Sequence, residues 1–260
     1  MQAIERFKET VREHRDSKRL ITRVGVEMAS VAYNCVKAPA RFCVDGAYRS
    51  AVLLRVFSSQ NIHQSSVVTR MDRYPGIFSV CRDYFIGKPG PRILSYGCAT
   101  GEEPLTLRNY FPSAYIVGAE INPHCLSVAR KRKADDRIVF LESHPEKIRE
   151  AGPFDAVFCL AVLQRTPMLV ARKGIMNLKA IYPFEKFEAK VIELDSWLNR
   201  NGLLIIYNSQ YLFTDASVAS KYSPLLSAKD IHNPGPLFDR DSVRLKGTMA
   251  NHSVFVKLRD

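Results

Sequence analysis

From residue 92 onward the chain alternates short apolar runs with amphipathic stretches, and this alternation limits its fold more than any other feature. "RILSYGC" (92–98), "YIVGAEIN" (115–122), "RIVFLES" (137–143), "FDAVFCLAVL" (154–163) and "LLIIYNSQ" (203–210) read as strands. "GEEPLTLRNYF", "PHCLSVARKRK" and "YPFEKFEAKVIELDSWLNRNG" read as the helices between them. Acids open the first helix, where the helix dipole favours them, and Pro123 opens the second. Phe187, Val191, Leu194 and Leu198 mark the inner face of the third, and Gly202 its stop. "SVRLKG" and "SVFVKLR" near the end are expected to pair as a sixth and a seventh strand. Strands separated by helices need crossover connections, which implies an α/β fold with a parallel sheet covered on both faces.

The segment before this alternation is organised differently. "IGKPGP" (86–91) is the strongest breaker in the chain and places the main boundary there or slightly before. Residues 1–72 are expected to form a helical N-terminal extension or cap, and 73–260 the main domain. Residues 2–20 read as a charge-laced helix, with Glu5, Glu9 and Glu13 interleaved with Lys8, Arg12 and Arg15. "SSQNIHQSSVVT" (58–69) reads as a linker or exposed loop, and 73–85 as a short helix. The N-terminus lacks the apolar core of a signal peptide, no apolar run is long enough to span a bilayer, and the six cysteines are scattered without a C-x-x-C pair. A cytoplasmic protein with reduced thiols and no metal site is expected. The net charge of +12 favours an anionic partner such as nucleic acid, but the cations are spread along the chain.

In an open parallel sheet ligands bind beyond the carboxyl ends of the strands, so "YGCATGEEP" after the first strand is the candidate site. Gly97, Ala99 and Gly101 let a ligand lie against backbone. The spacing G-x-A-x-G is one residue short of the dinucleotide fingerprint G-x-G-x-x-G. Glu102 and Glu103 stand where a diphosphate would rest, and two like charges about 4 Å apart repel by ~4 kcal/mol at an effective dielectric of 20. A ligand carrying an ammonium and a sulfonium suits the acids better, and S-adenosylmethionine fits that description. Glu120, at the end of the second strand, can accept both hydroxyls of a ribose. NAD and S-adenosylmethionine both need that group, so Glu120 indicates a nucleoside without choosing between them.

Taken together, "ILSYGCATGEEP", "IVGAEIN" and "FDAVFCLAVLQR" resemble class I S-adenosylmethionine-dependent methyltransferases, with a glycine turn most like that of the chemotaxis-receptor glutamate O-methyltransferases. The resemblance covers about 75–210. It implies a Rossmann-like, seven-stranded, mostly parallel sheet with helices on both faces and the last strand antiparallel. It also implies that Gly97, Cys98, Ala99 and Gly101 lie along the methionine part of the cofactor. Glu120 would take the ribose and Ile121 the adenine. Cys159, Leu160, Ala161 and Val162 would line the cofactor and the substrate entrance, and Glu102 or Glu103, with Glu103 the preferred one, would meet the amino group. The receptor enzymes carry Arg-Asn where this chain has Leu160-Ala161, and their receptor-gripping module is not recognisable, so the receptor substrate does not carry over.

A methyltransferase acting on a small-molecule or protein acceptor is therefore expected, with no catalytic base assigned. His144, Arg165, Tyr207, Tyr211 and His232 are the polar candidates near the strand ends. Nucleic acid as acceptor is not favoured, because neither an N-P-P-Y sequence nor residues gripping a flipped base are evident. The alternatives are a non-catalytic protein binding S-adenosylmethionine or RNA and, behind it, a dinucleotide-dependent oxidoreductase.

Overall fold

The structure is a computed structural model that describes residues 42–57, 62–64, 66–132, 135–228, 231, 233–247 and 251–260. The helix expected over 2–20 and the candidate His232 lie outside the described residues. The chain divides into two compact units, Met1–Leu53 and Leu54–Asp260. Helix α1 (Gly46–Phe57) follows Asp45, whose carboxylate accepts the Tyr48 N–H at 3.0 Å.

The second unit holds the expected α/β fold. Its strands are β1 (Arg92–Tyr96), β2 (Tyr115–Glu120), β3 (Ile138–Glu142), β4 (Phe154–Leu160), β5 (Leu198–Tyr207), β6 (Tyr222–Pro224) and β7 (Val254–Lys257). They form one seven-stranded sheet in the order β3-β2-β1-β4-β5-β7-β6. The first five are parallel to one another, and β7 runs antiparallel to both β5 and β6. The helices are α2 (Pro75–Tyr84), α3 (Glu102–Tyr110), α4 (Pro123–Lys131), α5 (Pro145–Ala151), α6 (Pro167–Arg172) and α7 (Phe184–Ser196).

Strand periodicity divides the core between the two faces. Leu94, Val117, Val157, Leu204 and Ile206 point to one face, where Phe187, Val191 and Leu194 of α7 cover them. Ile93, Ile116, Ala156, Leu203 and Ile205 point to the other, under Phe78 and Cys81 of α2, Leu107 of α3 and Leu126 of α4. Because both faces are covered, the parallel strands are apolar throughout rather than alternating. The register carries the second set across the sheet, with Ile93 facing Ile116 on one side and Ala156 on the other, and Ala156 facing Leu203.

Four expectations are corrected. β4 ends at Leu160 rather than residue 163, because Ala161 takes a left-handed φ of 61° that leaves the strand. β5 starts at Leu198, so the helix before it ends earlier and Leu198 pairs with Phe154. The sixth strand is Tyr222–Pro224, while Val243 and Arg244 make only isolated bridges. Ile62 and His63, expected in an exposed loop, are buried. Lys186 Nζ donates to the Ile62 carbonyl at 2.9 Å, and the His63 Nδ1 lies 2.6 Å from Tyr182 Oη. Burial first, then the charges of Lys190, Lys186 and Arg165, push the His63 pKa down to about 3, so this imidazole stays neutral.

The antiparallel end of the sheet is tied together by a buried charge cluster. Asp195, at the end of α7, accepts hydrogen bonds from Tyr222 Oη at 2.7 Å and Lys221 Nζ at 2.9 Å, and lies 3.1 Å from Lys257 Nζ. The Lys257 ammonium also donates to the carbonyls of Asp195 and Leu198 at 2.9 and 3.0 Å. Burial opposes ionisation of Asp195, but the hydrogen bonds from Tyr222, Lys221 and Lys257 outweigh it and hold the carboxyl below the usual range.

Candidate functional site

The carboxyl ends of β1, β2, β4 and β5 meet at one edge of the sheet, and the backbone there is unusual. Ala99 after β1, Ala161 after β4 and Asn208 after β5 all have positive φ, at 49°, 61° and 55°. For alanine this conformation costs about 1–2 kcal/mol, and such residues concentrate where function overrides local preference.

The turn after β1 is held from three directions. Gly97 and Cys98 both donate to the Ala119 carbonyl of β2, at 2.8 and 3.1 Å. Gly101 N–H donates to Cys98 O at 3.0 Å, closing the turn on itself. Ala99 N–H donates to Glu120 Oε2 at 2.8 Å. Two of the glycines are required by geometry. A Cβ on Gly97, at φ 75°, would stand 2.6 Å from Val162 Cγ2, and one on Gly101, at φ 93°, would stand 3.1 Å from both Ala129 and Phe140. Gly97→Ala should therefore combine backbone strain with a clash and lower the melting temperature by about 2–8 °C. Thermal unfolding checks this. Adding Val162→Ala should restore part of the loss, since it removes the clash and leaves the strain. An unchanged melting temperature in the single variant would contradict the packing.

Glu120 is only 6% exposed. Its Oε1 accepts the Asn122 N–H at 2.7 Å, so each carboxylate oxygen holds at least one backbone N–H, and lone pairs remain. Burial raises its pKa, and the N–H bonds from Asn122, Ala99 and Ile121 pull it partly back. Asn122 then caps α4, accepting from His124 and Cys125 N–H at 3.0 and 3.3 Å. One acid thus joins the glycine turn, the end of β2 and the start of α4, with Ile121 half-buried beside it.

The two glutamates opening α3 separate. Glu102 turns outward to Arg132, with which it makes a close ion pair, and to Thr100 Oγ1 at 2.6 Å. Burial opposes its ionisation, but the Thr100 and Arg132 contacts hold its pKa below the usual value. Glu103 turns inward, where its nearest partner is the hydroxyl of the fully buried Ser95, donating at 2.8 Å. Burial pushes its pKa up to about 8, against the opposing pull of Ser95 and Arg73. The repulsion anticipated between two acids at the turn is thus relieved, and of the two only Glu103 turns its half-buried carboxyl inward. Folding keeps this acid protonated, so its ionisation destabilises the fold as pH rises from the usual carboxylate range to about 8.

Gly97, Cys98, Ala99, Gly101, Glu103 and Glu120 are therefore brought together, and Val162 closes over Gly97. Cys159 and Leu160 lie in the core on opposite faces of β4, while Ala161 is half-buried at the strand end with its N–H on Tyr207 O at 2.7 Å. Burial raises the thiol pKa of both Cys98 and Cys159, so neither is a ready nucleophile. His144 is exposed at the start of α5, just past the end of β3, where Ser143 N–H donates to the Glu120 carbonyl at 3.0 Å. Tyr211 is a core aromatic whose hydroxyl meets Ser242 Oγ at 2.8 Å. Tyr207 is half-buried and packs edge-on against Tyr74, with ring centroids 5.0 Å apart.

Some site residues carried no sequence signal. Ser95 sits inside an apolar strand, Tyr74 lies before α2, and Asn208 reads as an ordinary strand continuation. Asn208 Nδ2 donates to Tyr74 Oη at 2.8 Å, and Arg73 Cζ lies 5.1 Å from the Tyr74 ring centre. Only the left-handed tolerance of asparagine hinted at a turn at 208.

Residues 93–180 match the family model of the methyltransferase domain. No curated protein matches the chain. Among solved structures, the chain is similar to S-adenosylmethionine-bound CalS10, an amino pentose methyltransferase from Micromonospora echinaspora. That alignment has 20% identity and a TM-score of 0.39, covering 56% of this chain and 53% of that one. It is similar to the plantazolicin methyltransferase BpumL in complex with SAH, at 13% identity and a TM-score of 0.37, covering 65% and 56%. It is also similar to an S-adenosylmethionine-dependent methyltransferase from Mesorhizobium loti, at 16% identity and a TM-score of 0.31, covering 50% and 52%. The chain spans about half the length of these structures.

Proposed function

We propose that the chain is an S-adenosylmethionine-dependent methyltransferase acting on a small-molecule or protein acceptor. The methyltransferase-domain match over 93–180 supports this, since it contains the glycine turn, the β2 acid and the β4 end in one segment. The observation that carries the proposal is the Glu120 carboxylate, buried between the glycine turn and the end of β2 with lone pairs left for a ribose diol. Residues 73–260 form the catalytic domain in this account, and 1–72 an extension that shapes the acceptor side.

The donor set fits the cofactor. Gly97, Cys98, Ala99 and Gly101 would lie along its methionine part, Glu120 at the ribose, Ile121 at the adenine, and Ala161 with Val162 near the reacting end. Cys159 and Leu160 would support that wall from the core. Glu103 is a half-buried acid partnered by the Ser95 hydroxyl, which suits an ammonium. When bound, the cofactor supplies a methyl group on a sulfonium, already activated for displacement. The protein's part is then alignment and exclusion of water, and no side chain of this site is assigned as base. The turn resembles that of the chemotaxis-receptor enzymes in carrying Thr100-Gly101-Glu102-Glu103-Pro104, and the proposal takes from this only the acid at the amino group. The net charge of +12 leaves RNA binding without chemistry as the second reading.

Glu103 gives this proposal a proton signature. With its pKa raised to about 8, the carboxyl is mostly protonated at neutral pH, whereas an ammonium requires the carboxylate. Binding of S-adenosylhomocysteine near pH 7 should release close to one proton, and affinity should rise with pH until it levels above about 8. Calorimetry in two buffers of different ionisation enthalpy reads the release directly. Glu103→Gln should abolish it, and proton uptake by the wild type would contradict the assignment.

A further inference from the structure

Residues 72–74, which lead into α2, are anchored to two separate elements. At one end Asp72 N–H donates to Thr106 Oγ1 of α3 at 2.9 Å, and Tyr110 Oη donates to Asp72 Oδ1 at 3.0 Å. Thr106 stands three residues after Glu103, on the same side of α3. At the other end the Tyr74 hydroxyl accepts from Asn208 Nδ2 at 2.8 Å, and the Tyr74 ring packs edge-on against Tyr207. The segment thus bridges α3, which follows β1, to the end of β5, and β4 lies between those two strands. Tyr207 O in turn accepts the Ala161 N–H at 2.7 Å, and Val162 closes over Gly97. Tyr74 and Asn208 therefore stand beside the strand ends where ligands of parallel sheets bind.

This pair has hydrogen-bonding capacity to spare. Tyr74 Oη spends a lone pair on Asn208, and its own O–H has no acceptor among the described residues. Asn208 Oδ1 takes no donor among them either. Both residues are half-buried, and Oδ1 is not one of the buried unpartnered atoms, so it opens to solvent. Burial raises the Tyr74 pKa against the opposing pulls of Arg73 and Asn208, so the hydroxyl keeps its proton. Turning the amide over exchanges the roles of the two side chains but leaves the same offer, a donor beside an acceptor. A neutral pair of this kind matches a group that also does both, such as a hydroxyl or an amide. A carboxylate cannot donate, and an ammonium cannot accept. We propose that Tyr74 and Asn208 form the recognition pair for the methyl acceptor, and that the acceptor presents a neutral hydroxyl or amide to them. The inference rests on the proposed methyltransferase function for the term acceptor; the hydrogen-bonding pair is tested separately.

The test uses the full chain saturated with S-adenosylhomocysteine, titrated by ligand-observed NMR. The probes are phenol and benzamide, anisole, which accepts but cannot donate, and benzoate. Each carries a ring to pack against Tyr74 and Tyr207. Anisole should bind at least about fivefold more weakly than phenol, as expected when one partner in the site is left unpaired. Tyr74→Phe keeps the ring against Tyr207 and removes the hydroxyl. It should cut the preference for phenol over anisole to about twofold or less while S-adenosylhomocysteine still binds. Asn208→Gly accommodates the φ of 55° without strain and removes the amide; it should weaken phenol and benzamide about fivefold. A merely structural role would move all probes together and leave the phenol-to-anisole ratio unchanged. Equal binding of phenol and anisole to the wild type, no binding of phenol or benzamide, or an unchanged ratio in Tyr74→Phe would overturn the proposal. So would tighter binding of benzoate than of either neutral probe, which would move recognition to the Arg73 guanidinium over the Tyr74 ring. Failure of S-adenosylhomocysteine itself to bind would instead count against the methyltransferase assignment.

Discussion

Glu120→Ala is expected to weaken S-adenosylhomocysteine at least about a hundredfold, since two hydrogen bonds from a ribose diol to a carboxylate contribute ~1.5–3 kcal/mol each. The same substitution leaves the N–H groups of Ala99 and Asn122 without their acceptor and should also lower stability. The two effects separate with a 2′-deoxy analogue of the ligand. The wild type should bind it more weakly than the parent compound, while Glu120→Ala should bind the two alike. If the variant still discriminates between them, Glu120 does not hold the sugar, and its role ends with the backbone it ties.

Asp195→Ala should be strongly destabilising. It leaves Lys257, 4% exposed, without its buried counterion and, among the described residues, with only the exposed Asp260 at 3.9 Å, and breaking a buried pair in this way costs about 3–5 kcal/mol. Denaturant unfolding measures the loss, and a change below about 1 kcal/mol would contradict the network. The pH dependence carries a sign. The folded-state pKa of Asp195 is held below the usual value, so its contribution is present above the usual carboxylate range and disappears as pH falls through the folded value. The acid-limb loss of stability should therefore be smaller in Asp195→Ala than in the wild type. A partial substitute such as Asp195→Asn keeps an acceptor for Tyr222 but not the charge, and should fall between the two.

Much of the fold was legible because buried parallel strands must be apolar on both faces and must be punctuated by glycine and proline. Ile93, Leu94, Val157 and Leu204 sit in such runs, and their strands appear where the runs do. β6 was not legible, because Tyr222–Pro224 has no pattern of its own and exists only through pairing with β7. The early start of β5 was hidden for the same reason, in the polar "LNRNG". Ile62 and His63 read as linker because their burial depends on Arg165, Tyr182 and Lys186, more than a hundred residues away.

At the site the turn and the β2 acid could be read, since glycines with positive φ and an acid after a strand leave local marks. The difference between Glu102 and Glu103 could not. The two are adjacent in sequence, but helical rotation directs one toward Arg132 and the other toward Ser95. Asn208 and Tyr74 were silent because their roles arise from neighbours across the strand ends.

The central claim is that the edge formed by Gly97–Gly101 and Glu120 holds a sulfonium nucleoside. Calorimetric titration of the full chain with S-adenosylmethionine, S-adenosylhomocysteine and NAD tests it most directly. Saturable binding of both sulfur nucleosides, with NAD failing to bind, is the predicted result. Binding of NAD in preference to S-adenosylhomocysteine, or binding of none of the three, would contradict it.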